Sequence, residues 1–333
     1  MKRQAKKIYQ FLLHSSLIML ALSFFGSGIA HAQVAWPKAR TIRFIVPFTP
    51  GSGTDVIARI LANRMGETLG ASIFVENKPG AGGTIGAGIV AKSEPDGYTF
   101  LIQSSGHVVN PFLYNNLPYD TLKDFSGVTP LAQLPNVMVT SPNAGYKSIG
   151  DLVSKAQADP GGKNYASAGN GSATHMNAEK FRIAAKINAN HIPYKGTPDA
   201  ITDTMAGRVD WFFSPIVSAL PLIKDGKLQA LAVGTNKRSF ALPDVPTTVE
   251  AGLPNSAYIF WVGMFAPSKT SPKIINQMNA NVIKVMQDPE VIAQLRKLGA
   301  EPMLMEPQKF DQLIKTEMDA AAILVKESKM VVN

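Results

Sequence analysis

The stretch Ile42–Asp55, "IRFIVPFTPGSGTD", joins a strand, a glycine loop and the start of a helix. Its β-branched and aromatic half ends at Pro47. The loop that follows contains two glycines, and the hydroxyls of Ser52 and Thr54 lie beside them before an amphipathic segment. Glycine lets a ligand approach the backbone because no Cβ intervenes, and the free N–H groups at a helix start favour an anion. The stretch therefore predicts an anion-binding corner. An ordinary turn with Thr54 or Asp55 as a helix cap is an equally supported alternative.

Two further corners have the same design, at 79–84 ("PGAGGT") and 167–175 ("SAGNGSATH"). The glycines of the first miss the G-x-G-x-x-G dinucleotide spacing by one residue, and no phosphate-binding G-x-x-x-x-G-K-[ST] or nucleophile-elbow G-x-S-x-G motif is present. In the corner 167–175, a role for Ser172 or Thr174 as a helix cap is as well supported as contact with a ligand. The sequence thus predicts three anion corners and no cofactor.

Strand and helix signals alternate along the rest of the chain, which is typical of an α/β fold. A β–α–β–α–β pattern covers 41–105, and a second α/β pattern begins near residue 137. With 333 residues and no flexible linker, the chain is expected to form two domains that it crosses on strands near 127–140 and 256–268. Each domain is predicted to hold a mainly parallel sheet flanked by helices.

The N-terminal segment has the pattern of a secretory signal peptide. Four basic residues lie within 2–7, a mostly apolar run covers 11–25, and Ala30-His31-Ala32 is a small-x-small cleavage site. An uncleaved membrane anchor is the less favoured alternative, since the apolar run is shorter than the ~20 residues that span a bilayer. The chain has no cysteine, which excludes disulfides and a lipoprotein anchor. The sequence predicts a signal peptide at 1–32 and a soluble periplasmic protein.

The remaining side chains favour a binding protein over an enzyme. His107, His175 and His191 have no metal-ligand spacing, so no metal site is predicted. We favour structural roles for His175 and His191. For Asp210, a structural role is slightly favoured over a position in the cleft. No basic stripe suggests nucleic-acid binding. A Ser/His/Asp triad is not excluded by counting, but no activated nucleophile is visible.

Six motifs in order carry a resemblance to a known family: "VPFTPGSGTDVIAR", "VENKPGAGGTIGAGIVAKSEPDGYTFL", "YASAGNGSATHM", "HIPYKGTPDAITDTMAGRVD", "GKLQALAV" and "LPDVPTTVEAGLP". The chain resembles the substrate-binding receptors of tripartite tricarboxylate transporters, the Bug family. The resemblance implies a two-domain periplasmic binding protein (Venus-flytrap) that closes over a ligand. It implies a discontinuous domain 1 (33–133 and 262–333) and a domain 2 (134–261).

The resemblance also implies a ligand and partners. A small mono-, di- or tricarboxylate, aromatic acids included, is held by backbone amides, hydroxyls and water rather than by an Arg or Lys. The partners are the large and small inner-membrane subunits of the transporter, and the receptor acts as a monomer. The residues carried over as ligand-binding are Phe48, Gly51, Ser52, Gly53, Thr54, Asp55, Gly82, Gly83, Thr84, Ser104, Ser105, His107, Ser167, Asn170, Ser172, Thr174 and Asp210.

The chain departs from the family pattern at one position, and two alternative functions remain open. Many relatives have Gly-Gly where this chain has Ser52-Gly53, so the identity of the ligand cannot be copied from a relative. The first alternative is an exported α/β enzyme that acts on a carboxylate or ester, with Ser172 or Asp210 in its mechanism. The second is a receptor that reports ligand to a membrane histidine kinase.

Overall fold

The first lobe of the protein is built around a six-stranded sheet. A computed structural model describes residues 36–330, so the predicted signal segment 1–32 lies outside the described part. The strands are β1 (Ile42–Val46), β2 (Ile73–Asn77), β3 (Thr99–Ser104), β4 (Phe125–Gln133), β10 (Trp261–Pro267) and β11 (Glu301–Pro302). They lie in the order β11-β4-β10-β3-β1-β2. The helices of this lobe are α1 (Gly53–Leu69), α2 (Thr84–Ala91), α3 (Asn110–Leu113), α8 (Pro272–Met286), α9 (Pro289–Lys297) and α10 (Pro307–Ser328).

The second lobe contains a five-stranded sheet in the order β7-β6-β8-β5-β9. Its strands are β5 (Asn136–Thr140), β6 (Asn164–Ser167), β7 (Asn190–Pro193), β8 (Trp211–Pro215) and β9 (Gln229–Val233). Its helices are α4 (Ile149–Ala158), α5 (Ala173–Ala185), α6 (Thr197–Met205) and α7 (Ile216–Lys224). Short 3₁₀ turns cover Ala81–Gly83, Ser105–Val108 and Pro142–Ala144.

The predicted fold class is confirmed, and the strand directions show how the lobes are joined. β1 runs parallel to β2 and β3, and β6 runs parallel to β7 and β8. In contrast, β10 is antiparallel to β3 and β4, and β5 is antiparallel to β8 and β9. The parallel strands are joined by helical crossovers. Strands β4, β5, β9 and β10 belong to the segments that pass between the lobes. Each sheet is therefore mixed, with a parallel β–α–β portion.

The chain passes between the lobes through two adjacent segments. Leu134 and Pro135 connect β4 to β5, and residues 234–260 connect β9 to β10. The two passages are hydrogen-bonded to each other, with Leu134 N donating to Phe260 O over 2.9 Å. The crossing strand predicted near 256–268 begins only at Trp261 because this passage precedes it. The exact domain limits stay a prediction.

Phe310 anchors the C-terminal helix α10 to the first sheet. Its ring is fully buried and lies 5.4 Å from the Trp261 ring and 5.2 Å from the Phe265 ring. A Cβ on Gly263 would come within 2.5 Å of the Phe310 ring, so the absence of a side chain in β10 makes room for it.

Phe310→Ala is expected to lower the free energy of unfolding by about 3–5 kcal/mol, because it leaves a cavity under α10. Urea denaturation followed by circular dichroism measures the change. Ile323→Ala is the control on the same helix, since Ile323 is 60% exposed, and it should change stability by less than about 0.5 kcal/mol. Equal losses in both variants would contradict this account of the anchor.

Candidate functional site

Strand-to-helix corners of both lobes face each other around a small cavity. The space open to the centre of a water molecule is ≈ 10 Å³, which is room for about one water. The lobes are thus closed on each other. The cavity is lined by Phe48, Ser52, Gly53, Thr54, Ser104, Ala168, Ser172, Ala173, Thr174, Thr197, Pro215 and Phe260.

Two helices begin at this cavity, one from each lobe. Helix α1 starts at Gly53 and α5 at Ala173, and the first two residues of each helix line the cavity. Within residues 36–330, the backbone N–H groups of these four residues have no protein acceptor. Free N–H groups and the positive ends of two helix dipoles converge here, and both favour a negatively charged ligand.

The cavity walls carry hydroxyl groups but no charged side chain among the described residues. Ser172 Oγ lies 3.0 Å from Thr174 Oγ1 and also accepts from His175 N, which caps α5. Ser104 Oγ accepts from Gly106 N over 3.3 Å. The remaining walls are apolar. This arrangement can bind a carboxylate by neutral donors and can shield it from water, without an Arg or Lys salt bridge.

Hydrogen bonds hold the lobes together beside the cavity. Ser52 does not cap its own helix; its Oγ accepts from Thr197 N of the second lobe over 3.1 Å. On the opposite side, Tyr114 Oη donates to Asn170 O over 3.1 Å. Because Ser52 is used between the lobes, the N–H groups at the start of α1 stay available to a ligand.

The family follows from the comparison with known proteins. Residues 57–330 match the family described as "Tripartite tricarboxylate transporter family receptor". The chain belongs to this receptor family. It is 36% identical over 315 residues to Protein BugT of Bordetella pertussis, covering 92% of this chain and 97% of BugT.

Two solved structures of relatives have bound carboxylates. The receptor resembles the R. palustris protein Rpa4515 with adipate at 32% identity and a TM-score of 0.86, over 89% of this chain and 99% of that one. It resembles MatC from Rhodopseudomonas palustris with bound malate at 32% identity and a TM-score of 0.81, over 86% and 99%. Within residues 36–330, no helix of the receptor has the length and apolar character to cross a membrane.

Seven of the predicted ligand residues line the cavity: Phe48, Ser52, Gly53, Thr54, Ser104, Ser172 and Thr174. Asp55 lies next to them but supports the loop instead. Its buried carboxylate accepts from Gly51 N over 2.9 Å, from Arg59 Nε over 2.9 Å and from Asn77 Nδ2 over 2.8 Å. Gly51 is exposed and its N–H is committed to Asp55. Both residues therefore shape the corner without lining the cavity.

The second predicted corner lies at the contact between the lobes. A Cβ on Gly82 would come within 1.9 Å of Asn170 O, so this backbone contact requires glycine. Gly83 is packed under the Gln103 side chain of its own lobe, where a Cβ would lie 2.3 Å from Nε2. Thr84, the first residue of α2, is buried behind them. None of these residues, nor Asn170, lines the closed cavity. Gly82 and Asn170 define how closely the lobes approach.

Four other predicted residues are committed to contacts elsewhere. His107 is fully buried among aromatic rings, 4.9 Å from Phe125 and 4.8 Å from Phe265. Ser105 Oγ lies 3.1 Å from Tyr258 Oη. Ser167 Oγ lies 2.6 Å from His191 Nε2.

Asp210 is the fourth of these residues. It lies at the amino end of β8, which is the end of the strand away from the cavity. Its carboxylate accepts from Tyr146 Oη over 2.7 Å and from Asn164 N over 2.8 Å. Asn164 opens β6 and Asp210 precedes β8, whereas the cavity lies beyond the carboxyl ends of these strands.

Five lining residues were missed by sequence reasoning: Ala168, Ala173, Thr197, Pro215 and Phe260. Thr197 had a usable signal, since it follows a strand and Gly196 and begins a helix with Pro198 in the first turn. Ala168 and Ala173 flank the polar residues of the third corner. Phe260 had no local signal, because it belongs to the passage between the lobes.

A larger cavity of ≈ 1240 Å³, measured in the same way, lies elsewhere between α5, α10 and residues 235–259. It contains none of the lining residues of the small cavity. Its lining has no glycine corner that begins a helix, and its charged side chains are Lys180, Lys237, Arg238, Glu301, Glu317 and Glu327. The small cavity is therefore the candidate ligand site.

Ser52→Ala is expected to weaken ligand binding by about 5- to 30-fold, because it leaves the buried Thr197 N–H without an acceptor, at about 1–2 kcal/mol. Isothermal titration calorimetry measures the affinity. Ser218→Ala is the matched control, since Ser218 Oγ donates to Gly51 O over 3.2 Å between the lobes at an exposed position. Water can replace that bond, so this variant should bind as the parent does. A parent-like Ser52→Ala variant would remove this bond from the closure mechanism.

Proposed function

We propose that the protein is a periplasmic receptor that captures a small carboxylate between its lobes and delivers it to the membrane subunits of a tripartite tricarboxylate-type transporter. One observation carries the proposal: the starts of α1 and α5, from opposite lobes, direct free N–H groups at one uncharged cavity. A carboxylate placed there accepts hydrogen bonds from both lobes at once. It therefore stabilises the closed form over the open form.

The comparisons support the chemical class of the ligand. The two related proteins carry adipate and malate in their structures, and both ligands are dicarboxylates. The closed cavity is too small for either molecule. The lobes must therefore part to admit a ligand of this kind and then close around it slightly less tightly than they do here. The proposed contacts are the free N–H groups and the hydroxyls of Thr54, Ser104, Ser172 and Thr174. The membrane partners follow from the family alone, and periplasmic location follows from the family and the signal-peptide pattern.

The lining residues support capture without chemical conversion. General acid–base catalysis requires a titratable group within hydrogen-bond reach of the reacting atom. Among the described residues, the cavity lining has no His, Lys, Arg, Cys, Asp or Glu. The hydroxyl of Ser172 bonds to Thr174 and to the backbone of α5, and no imidazole within residues 36–330 accepts its proton. The receptor is accordingly proposed not to be an enzyme.

A panel of carboxylates that includes adipate and malate is expected to raise the melting temperature. At a hundredfold excess over Kd, binding adds about 2.7 kcal/mol, which is about 4 °C for a chain of this size. Differential scanning fluorimetry of ligand-stripped protein measures the shift. The diamide of each active acid is the control, because it keeps the shape and removes the negative charge. A panel without any shift, or equal shifts from acid and diamide, would contradict the proposed function.

A further inference from the structure

Two buried imidazole rings lie face to face beneath the third glycine corner. The ring centroids of His175 and His191 are 3.8 Å apart and the ring planes differ by 7°. The Tyr165 ring is stacked on His191 at 5.0 Å and 19°. His175 belongs to α5 and His191 to β7, so the stack joins two elements that flank residues 168–172. Neither histidine lines the ligand cavity.

Each imidazole is hydrogen-bonded to this corner through one ring nitrogen. Gly171 N donates to His175 Nδ1 over 3.1 Å. Since a backbone N–H can only donate, Nδ1 of His175 must be unprotonated, and the ring proton is on Nε2. His191 Nε2 lies 2.6 Å from Ser167 Oγ, which itself accepts from Gly169 N over 3.0 Å. The Ser167 hydroxyl proton is therefore free to point at His191 Nε2.

The surroundings keep both rings neutral. Burial, with a smaller effect of Arg182, lowers the pKa of His175 to about 3. Burial, followed by the effect of the neighbouring His175, lowers the pKa of His191 to about 3. Glu179 is the nearby carboxylate, but it is paired with Arg182 and accepts from Tyr165 Oη. Neutral rings keep a lone pair available to the corner.

The corner that the rings support is part of the ligand cavity. Ala168 and Ser172 line the cavity, as do the first two residues of α5, whose N–H groups are free. Gly169 and Gly171 have φ of +122° and +74°, so this backbone can adopt many other conformations when nothing restrains it. His175 restrains the Gly171 N–H directly, and His191 acts on the Gly169 N–H through the Ser167 hydroxyl.

We propose that His175 and His191 are positioning residues for ligand binding, whose neutral acceptor nitrogens orient the 168–172 corner and the free N–H groups that follow it. The inference rests on the function proposed above. It assigns a role in binding to two side chains that do not touch the ligand. The required groups are the acceptor atoms, rather than the volume or the aromatic character of the rings.

Two substitutions of His175 separate the acceptor from the ring. In His175→Asn, Oδ1 takes a position near that of Nδ1 and can accept from Gly171 N, but the stacked ring is lost. In His175→Phe, a stacked ring remains and the acceptor is lost. Adipate is the probe, or malate if adipate gives no shift with the parent. We expect His175→Asn to bind within about threefold of the parent and His175→Phe to bind at least about tenfold more weakly, because Gly171 N–H is left unpaired.

Two measurements without ligand keep the inference independent of the proposed function and of the folding of the variants. Nitrogen NMR of the parent should show His175 with its proton on Nε2. Hydrogen exchange of the Gly171 amide should be faster in His175→Phe than in the parent and unchanged in His175→Asn. A proton on Nδ1, or slow Gly171 exchange in both variants, would overturn the inference. Weak binding by His175→Asn with parent-like binding by His175→Phe would show a packing role instead. If no carboxylate binds the parent, the proposed function fails while these two measurements still decide the positioning role.

Discussion

Gly82→Ala is expected to prevent closure and to weaken carboxylate binding by at least about a hundredfold, or about 2.7 kcal/mol. The added Cβ would lie 1.9 Å from Asn170 O of the other lobe. A backbone oxygen in the middle of a structured corner cannot move aside as a flexible side chain can. The lobes must therefore stay further apart, and a carboxylate held by one lobe loses the N–H groups of the other.

Gly207→Ala is the matched control for the backbone cost of this substitution. Gly82 has φ +59° and Gly207 has φ +70°, so both variants place an alanine in the left-handed region. At Gly207, however, nothing lies within 4 Å of the added Cβ. Calorimetry should show parent-like affinity for Gly207→Ala, and small-angle X-ray scattering should show ligand-dependent compaction in this variant alone. Closure of Gly82→Ala with unchanged affinity would refute the role of this contact.

Acidification from pH 7 to pH 5 is expected to lower the free energy of unfolding by about 6 kcal/mol, through three buried histidines. Burial lowers the pKa of His107 to about 3, as it does for His175 and His191. In the unfolded chain each titrates near pH 6.5, so below that pH the unfolded state binds more protons than the folded state. The stabilisation is thus present above pH 6.5 and is lost as the pH falls toward 3, at about 1.4 kcal/mol per pH unit for each histidine.

His107→Phe tests this prediction at one site. His107 is surrounded by Tyr119, Phe125 and Phe265, and neither of its ring nitrogens has a hydrogen-bond partner among the described residues. A phenyl ring therefore suits the site. Urea denaturation at several pH values should give a slope of about 4 kcal/mol per pH unit for the parent below pH 6 and about a third less for the variant. A stability that does not change between pH 7 and pH 5 would contradict the buried neutral state of these rings.

Much of the fold could be predicted because its signals are local. Ser148, with Asp151 three residues on, predicts a helix over 149–158, and the helix is observed at Ile149–Ala158 with Ser148 accepting from Asp151 N as its cap. Ser271 followed by Pro272 predicts a second helix start, and that helix begins at Pro272 with Ser271 as its cap. Hydroxyl caps, first-turn prolines and hydrophobic periodicity act over a few residues, so one segment of sequence contains the whole signal. The segment "EPMLM" (301–305) also predicts a strand, and this prediction is wrong beyond Pro302, because Met305 N donates to Thr129 Oγ1 instead of joining the strand ladder.

By itself, the sequence determined the two α/β units, the strand-to-helix corners and the likeness to the receptor family, since each depends on neighbours along the chain. Only the tertiary structure decided which corner residues face the cavity. It committed Asp55 to its own loop and Asp210 to the amino end of β8, and it brought Thr197 and Phe260 to the site. It also placed Gly82 against Asn170. These outcomes depend on how two lobes, distant in sequence, come within a few ångströms of each other, and no local periodicity encodes that distance.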